Sequence, residues 1–296
     1  MPRTTPSRPD ARLATSPPIP PNPSHFPFAS YTAAVGVHTT LHAFSALFLP
    51  RTPGVIELIS PELDPNSFTS RDRPQAAFLE VLTRSPPATL ACICLGAAVL
   101  QSWWGGWLRS WRIESILQGT GAERKVARAR IDAKKIAALL DAWIATAVAA
   151  GIYFVALILL GAPTNSHLPQ TFLFAVLLSI LTTFVPSYTF GSPFSGTDST
   201  VTRLTWIRLF SDLSCRSPVE RAILYPSIGT IVGSWIGVIP IALDWDRPWQ
   251  AWPLTPTTGA ITGYIFASIL ALAASGVRFL ADEHLRSLHA EKLKTT

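Results

Sequence analysis

Charged residues are scarce in this chain. Only 14% of its 296 residues are Asp, Glu, Lys or Arg, against about a quarter in an average soluble domain. Hydrophobic residues make up 48% of the chain, and its mean hydropathy is +0.32. This balance argues against an ordinary soluble protein and favours one embedded in a membrane.

Cysteine is nearly absent as well, with three residues at Cys92, Cys94 and Cys215. The first two are two positions apart in an apolar run, where a helix turns their side chains away from each other. The pattern contains neither a disulfide framework nor zinc-ligand spacing. We therefore predict three free thiols and no structural metal.

Recognisable enzyme motifs are lacking. The chain contains no GxSxG, GxxxxGK, HExxH or GxGxxG pattern, so the usual marks of several hydrolase and nucleotide-binding classes are missing. The missing motifs lower the expectation of catalysis. They do not exclude it, because membrane transferases often rely on scattered acids. We assign no catalytic residue, no cofactor and no metal.

Six long apolar runs are present, and each is close to the roughly 20 residues that cross a bilayer core. The sequence therefore predicts an all-α, polytopic membrane protein with six transmembrane helices. The runs cover approximately residues 30–50, 86–108, 136–161, 169–186, 223–243 and 256–275.

The positive charges predict the orientation. Of the 24 Lys and Arg residues, 19 lie in the two terminal tails and in the loops 109–135 and 187–221. Loops rich in Lys and Arg stay on the cytosolic side, so we expect both termini in the cytosol. The turn between the last two spans then lies on the opposite, lumenal face.

Three regions follow from composition. Residues 1–29 hold nine prolines and are predicted to be a disordered cytosolic tail, with a hidden docking motif as the alternative. Residues 30–276 form the six-span membrane domain, and 277–296 a cytosolic, helical tail. The basic segment 124–130 fits contact with anionic lipid better than with nucleic acid, because it adjoins membrane spans.

Two histidines, His38 and His42, lie four positions apart in the first run and share one helix face. This is also metal-ligand spacing, but no further ligand lies nearby in the run. We favour contact with a neighbouring helix or with a partner, and keep metal binding as the alternative.

The most informative stretch is 225–264. Gly229, Gly233 and Gly237 recur at a spacing of four, and Gly259 and Gly263 repeat it in the next run. Such rows let another helix approach closely. The two helices pack on each other in one interpretation; in the other, they offer a docking groove to a helix of another protein.

Between the glycine runs lies a segment that we call the tryptophan strip, residues 244–253. Its charged and aromatic side chains could bind a zwitterionic headgroup, with Arg247 on the phosphate and an acid on the ammonium. The alternative is an aromatic belt with an Asp–Arg pair that fixes the turn. The candidate residues are Asp244, Trp245, Asp246, Arg247, Pro248, Trp249, Gln250 and Trp252.

These residues give the chain a resemblance to the Pig-F family of glycosylphosphatidylinositol (GPI) biosynthesis proteins. The similarity is close over about forty residues and looser over the six-span layout, and the general character is that of fungal members. The matching positions are Tyr225-Pro226, Gly229, Gly233-Ser234-Trp235, Gly237, Pro240, 244–250, Trp252-Pro253 and Gly259.

The resemblance implies a multi-pass protein of the endoplasmic reticulum without catalytic activity of its own. Its partners would be the large catalytic subunits that transfer ethanolamine phosphate to mannose of the GPI precursor, and no nucleic acid is expected. We therefore expect an accessory subunit whose glycine-faced helices pack on a partner helix and whose strip faces the partner or lipid.

Two other functions are weighed against this one. One is a lipid-handling protein that binds or moves phosphatidylethanolamine or the GPI precursor, which the side chains around Arg247 suggest. The weaker one is direct phosphotransferase activity using Asp244 and Asp246.

Overall fold

The computed structural model describes residues 26–52, 77–117, 120–163, 165–194, 199–243 and 245–295. These residues are helical or connect helices, and none of them forms a strand. The helices within them are α1 (Phe28–Phe48), α2 (Ala77–Arg84), α3 (Pro86–Ile116), α4 (Gly121–Ala133), α5 (Lys135–Leu159), α6 (Leu168–Ser179), α7 (Val185–Phe190), α8 (Ser199–Trp206), α9 (Pro218–Val238) and α10 (Leu254–Thr295).

Six helical segments are long and apolar enough to cross a membrane, which confirms the predicted number of spans and the all-α class. Six crossings would place both ends of the membrane domain on one side of the membrane, and their predicted cytosolic location stays a prediction. The segments are Phe28–Arg51, Pro86–Ile116, Lys135–Leu159, Leu168–Phe190, Pro218–Ala242 and Leu254–Lys292.

Local sequence explains several boundaries. Helix α9 starts with Pro218 behind Ser217, whose hydroxyl accepts a hydrogen bond from the Glu220 backbone N–H at 3.2 Å. Proline suits the first turn because its missing N–H would be unpaired there. Helix α7 ends at Phe190, and the next residue, Gly191, has a φ of +95° that few other residues adopt.

The fourth span is interrupted by a π-helical turn at Ile180–Phe184, between α6 and α7. The turn lies in the core and packs against α3, α5 and α9. A wider turn rotates the residues that follow it. Phe184 and Tyr188 therefore both point into the centre of the bundle.

An aromatic core fills the end of the bundle where α1 begins and α3 ends. Trp104 is 2% exposed, and its ring stacks on Trp107 at 5.4 Å between centroids. Tyr31 of α1 stacks on Trp107 at 6.0 Å. By their position at one end of an apolar run, tryptophans 103, 104 and 107 are predicted to mark the headgroup region, and that depth stays a prediction. Trp104 is buried inside the bundle, and α3 continues past it to Ile116.

His38 and His42 face neighbouring helices of the same chain. Their rings are 4.6 Å apart, and His38 stacks on Trp104 at 4.7 Å. His42 lies 5.2 Å from the ring of Tyr264. Contact with a neighbouring helix is therefore what the structure shows, and the described residues contain no group of three His, Cys, Asp or Glu that could hold a metal.

The predicted tails are described only in part. Residues 1–25 lie outside the described residues, and so does their predicted disorder. Phe26 is already buried in the aromatic core, and α1 begins at Phe28. At the other end α10 runs on to Thr295, in agreement with the predicted helical extension.

Candidate functional site

The five glycines form the contact between α9 and α10. A Cβ atom placed on Gly233 would come within 3.0 Å of Gly259 backbone atoms, and one on Gly229 would meet Gly263 in the same way. Gly237 approaches the backbone of Thr255 and Pro256 equally closely. Backbone therefore lies against backbone along the glycine rows, which only residues without a side chain permit.

This packing is the first of the two arrangements that the sequence left open. The glycine rows face each other inside an antiparallel helical hairpin, so a partner helix cannot reach them while the hairpin stays closed. Partner packing at the five glycines therefore stays a prediction. The surface that α9 leaves uncovered is its opposite face.

That opposite face is apolar. Its side chains follow one another at steps of three, four and one residues, which keeps them on one side of the helix. Trp235 is the largest of them and is 61% exposed. We call this set the outer face of α9, and it includes the first residue of the 3₁₀ turn that continues the helix: Ile228, Val232, Trp235, Ile236 and Ile239.

The tryptophan strip is held in place by the amide of Gln250. Its Nε2 donates to the carbonyl oxygens of Pro240 at 2.6 Å and Leu243 at 2.7 Å, and its Oε1 accepts from the Arg247 backbone N–H at 2.8 Å. The two carbonyls belong to the end of the α9 segment, where backbone acceptors have no partner within the helix. One side chain therefore connects both ends of the turn.

Trp252 anchors the strip to the fourth span. Its indole Nε1 donates to Thr171 Oγ1 at 2.9 Å, and its ring meets Phe174 edge-on at 6.0 Å. Trp252 and Gln250 thus have hydrogen-bond partners within this chain, and their contact with a partner or a headgroup stays a prediction.

Other strip residues point outwards. Trp245 and Arg247 are exposed, and the ring of Trp245 lies 5.6 Å from the half-buried Trp249. Asp246 adopts a positive φ of 49°, a region that Asp tolerates better than most residues. Asp244 lies outside the described residues, so the Asp–Arg pair considered for the turn stays a prediction. The outward side chains are the part of the strip that can meet a headgroup or a protein.

The opposite end of the bundle contains a set of arginines that sequence reasoning treated only as topology charges. We call it the arginine end: Arg109, Arg112, Arg208, Arg221 and Arg278. Arg109 Nη1 donates to the Tyr188 carbonyl at 2.5 Å, and Arg112 donates to that of Thr189. Cations suit these positions because the last carbonyls of α7 carry partial negative charge.

Arg208 and Glu220 form a bidentate ion pair at the same end. The two hydrogen bonds measure 2.7 and 3.0 Å, and Glu220 also accepts from the Arg216 backbone N–H at 2.6 Å. Bonding to Glu220 raises the pKa of Arg208. The motif Ser217-Pro218-Val219-Glu220 is a helix-start signature, so the sequence carried a signal for the start of α9 but none for the pairing of Glu220 with Arg208.

Comparisons with known proteins agree with the resemblance. A sequence model described as the GPI biosynthesis protein family Pig-F matches residues 73–272. The chain is 38% identical over 118 residues to a human protein named GPI ethanolamine phosphate transferase, stabilizing subunit, covering 40% of this chain and 50% of that protein.

Fungal relatives match to a similar extent. Proteins named glycosylphosphatidylinositol anchor biosynthesis protein 11 are 40% identical over 121 residues in Debaryomyces hansenii and 37% identical over 135 residues in Neurospora crassa. These alignments cover 39% and 46% of this chain, and 46% and 44% of the relatives. The chain thus spans about half the length of the curated relatives it matches.

No solved structure matches the chain. The family model covers about two thirds of it, including both glycine rows and the tryptophan strip. The chain belongs to the Pig-F family of GPI biosynthesis proteins.

Proposed function

We propose that this protein is a non-catalytic accessory subunit that stabilises the large catalytic subunit of a GPI ethanolamine-phosphate transferase. The observation that carries the proposal is the similarity to human and mouse proteins that are named as the stabilizing subunit of that enzyme. The site of action is the endoplasmic reticulum membrane, with the tryptophan strip on the lumenal side.

The hairpin supplies a surface for this role. Because the glycine rows lock α9 onto α10, the outer face of α9 is held in a fixed orientation. A fixed apolar face lets a partner helix pack without first ordering its own binding site. In this arrangement the five glycines serve partner packing by shaping the hairpin, and Trp235 and Ile239 meet the partner.

The outward part of the tryptophan strip continues the same surface beyond the membrane core. Trp245 and Arg247 are exposed there, next to the end of α9. Tryptophan and arginine are enriched at protein interfaces and suit membrane headgroups as well. These two residues contact the lumenal part of the partner in this proposal.

The test is a pair of matched double variants. Trp235→Ala with Ile239→Ala truncates two exposed side chains of the outer face, while Ile144→Ala with Val148→Ala truncates two exposed apolar side chains of α5. Partner abundance and co-purification should fall several-fold in the α9 variant only, with the level of this chain unchanged. Equal effects of the two variants, or no effect of either, would contradict the proposal.

A lipid-handling function is the second candidate, and the exposed Arg247 beside Trp245 favours it. These groups could bind the phosphate and the ammonium of a phosphatidylethanolamine headgroup or of the GPI precursor. The two functions differ in what accompanies the purified protein: a large membrane protein in one case, lipid alone in the other.

A further inference from the structure

Arg221 carries a positive charge into the interior of the arginine end. It lies in the first turn of α9 and is only 4% exposed. A buried guanidinium is costly unless charges or hydrogen bonds compensate it. Its one hydrogen bond within the described residues runs from Nε to Ser275 Oγ of α10, at 2.9 Å.

The neighbouring carboxylate does not balance this charge. Glu220 is adjacent in sequence, but its two oxygens accept from both terminal nitrogens of Arg208 and from the backbone N–H of Arg216. No carboxylate of the described residues lies within 4.0 Å of Arg221. The guanidinium is therefore left without an anion by that part of the protein.

Other hydrogen-bond donors lie on the elements packed against it. The hydroxyl of Tyr31 is fully buried and has no hydrogen-bond partner within the described residues, and Tyr31 belongs to the same core cluster as Val219 and Ala222, which flank Arg221 in α9. Arg278 lies three residues after Ser275 on α10, on the same side of that helix, and is exposed to the surface. Arg109 and Arg112, by contrast, are already bound to the carbonyls that end α7.

We propose that Arg221, Arg278, Tyr31 and Ser275 form a binding site for a phosphate group. Two guanidinium groups and two hydroxyls offer several donors and two positive charges, which complement the oxygens of a phosphate monoester or diester. A phosphate bound there supplies the anion that Arg221 lacks and a partner for the buried hydroxyl.

The position of the site indicates where the phosphate comes from. Arg221 opens the fifth span, so the site lies where lipid headgroups meet the bundle. Arg278 is 24 residues after the start of α10, which at about 1.5 Å per residue is some 36 Å from the tryptophan strip. The site is thus distinct from the strip, and it does not depend on the proposed accessory role.

The experiment uses the full-length protein purified in neutral detergent. Its unfolding midpoint is recorded with increasing short-chain phosphatidic acid, with inorganic phosphate, and with neutral detergent alone. Binding to the folded state raises the midpoint. A rise of a few degrees with phosphatidic acid only identifies a lipid headgroup; a rise with both identifies the phosphate group itself as the ligand.

Three variants assign the effect to residues. Arg221→Gln should abolish the rise, Arg278→Gln should reduce it, and Arg216→Gln should keep it, since Arg216 is an exposed arginine of the same end. Arg278→Gln changes a surface residue and keeps the test valid if Arg221→Gln fails to fold. The proposal is overturned if the unfolding midpoint of all three variants rises as much as that of the natural protein.

Lipid retained from the cell is detected in the same samples by native mass spectrometry. If retained lipid fills the site, the unfolding midpoint of the natural protein does not rise further, but its mass spectrum shows one bound phospholipid. Arg221→Gln and Arg278→Gln should then lose this phospholipid, and Arg216→Gln should keep it. A natural protein with neither a rise nor a bound phospholipid contradicts the proposal.

Discussion

Gln250 shows how a single side chain can determine the shape of the candidate site. Its amide satisfies two carbonyls at the end of the α9 segment and one N–H of the strip. No other residue type presents two donors and an acceptor on a stem of this length. The outward orientation of Trp245 and Arg247 therefore depends on Gln250.

Replacing Gln250 by alanine should loosen the strip without unfolding the bundle. Three hydrogen bonds are lost, at about 1 kcal/mol each, and the effect stays local because the helices pack elsewhere. Hydrogen exchange measured by mass spectrometry should speed up at residues 245–250. Trp245→Ala is the control, because its exposed ring makes few contacts that hold the turn. Equal exchange rates at residues 245–250 in the two variants would argue against the role of Gln250.

His38 offers a second test at the residue scale. Neither ring nitrogen has a hydrogen-bond partner within the described residues, while the ring itself stacks on Trp104. A buried polar atom without a partner is destabilising, and an apolar ring of similar shape removes that cost. The imidazole therefore contributes mainly by filling space.

His38→Phe should therefore keep or raise the unfolding midpoint in detergent. His38→Ala should lower it, because the cavity beside Trp104 costs about 3 kcal/mol. If phenylalanine proves as harmful as alanine, the ring nitrogens must bind something that a phenyl ring cannot replace.

At the scale of helices, the glycine rows explain why α9 and α10 behave as one unit. The hairpin needs backbone contact at Gly229, Gly233 and Gly237 in turn. A side chain added at Gly233, the middle position, forces the two helices apart and weakens the contacts at Gly229 and Gly237 as well. Partner binding at the outer face of α9 then suffers indirectly.

Gly233→Leu should lower the free energy of unfolding by about 3 kcal/mol or more, and should reduce the abundance of the transferase partner. Gly151→Leu is the matched control, because a Cβ at Gly151 of α5 meets nothing within 4 Å. Quantitative immunoblots of both proteins give the answer. An unchanged partner level in Gly233→Leu would count heavily against the hairpin as a binding element.

The sequence predicted these two helices well, but it did not predict that their glycine faces meet each other. A spacing of four defines a face without showing what covers it, because a missing side chain suits a neighbour in the same chain and a foreign helix equally. The same limit applies to Trp104, whose place near the end of an apolar run does not show that its ring is buried against His38 and Trp107.

At the scale of the whole molecule, six spans could be counted from hydropathy because length and apolarity are local properties. The arginine end could not be predicted in that way. Arg221 was assigned to a polar loop by its charge, yet it lies inside α9 and contacts Ser275, 54 residues further along the chain. Only the packed bundle brings Arg221, Tyr31 and Ser275 together.

The bundle also has two unlike ends. The tryptophan strip joins α9 to α10 at one end, and the arginines gather at the other, where α3 and α7 end and α9 begins. Between them, α5 exposes an apolar stripe of the kind that faces lipid, including Ile144, Val148 and Ile152. The outer face of α9 is another such stripe, and unlike the stripe of α5 it adjoins the tryptophan strip.

The most direct test of the accessory role is affinity purification of the full-length protein in gentle detergent, with co-purifying proteins identified by mass spectrometry. The account predicts recovery of a large multi-span GPI ethanolamine-phosphate transferase. Recovery of this chain alone, monodisperse and carrying lipid, would contradict it and favour the lipid-handling function.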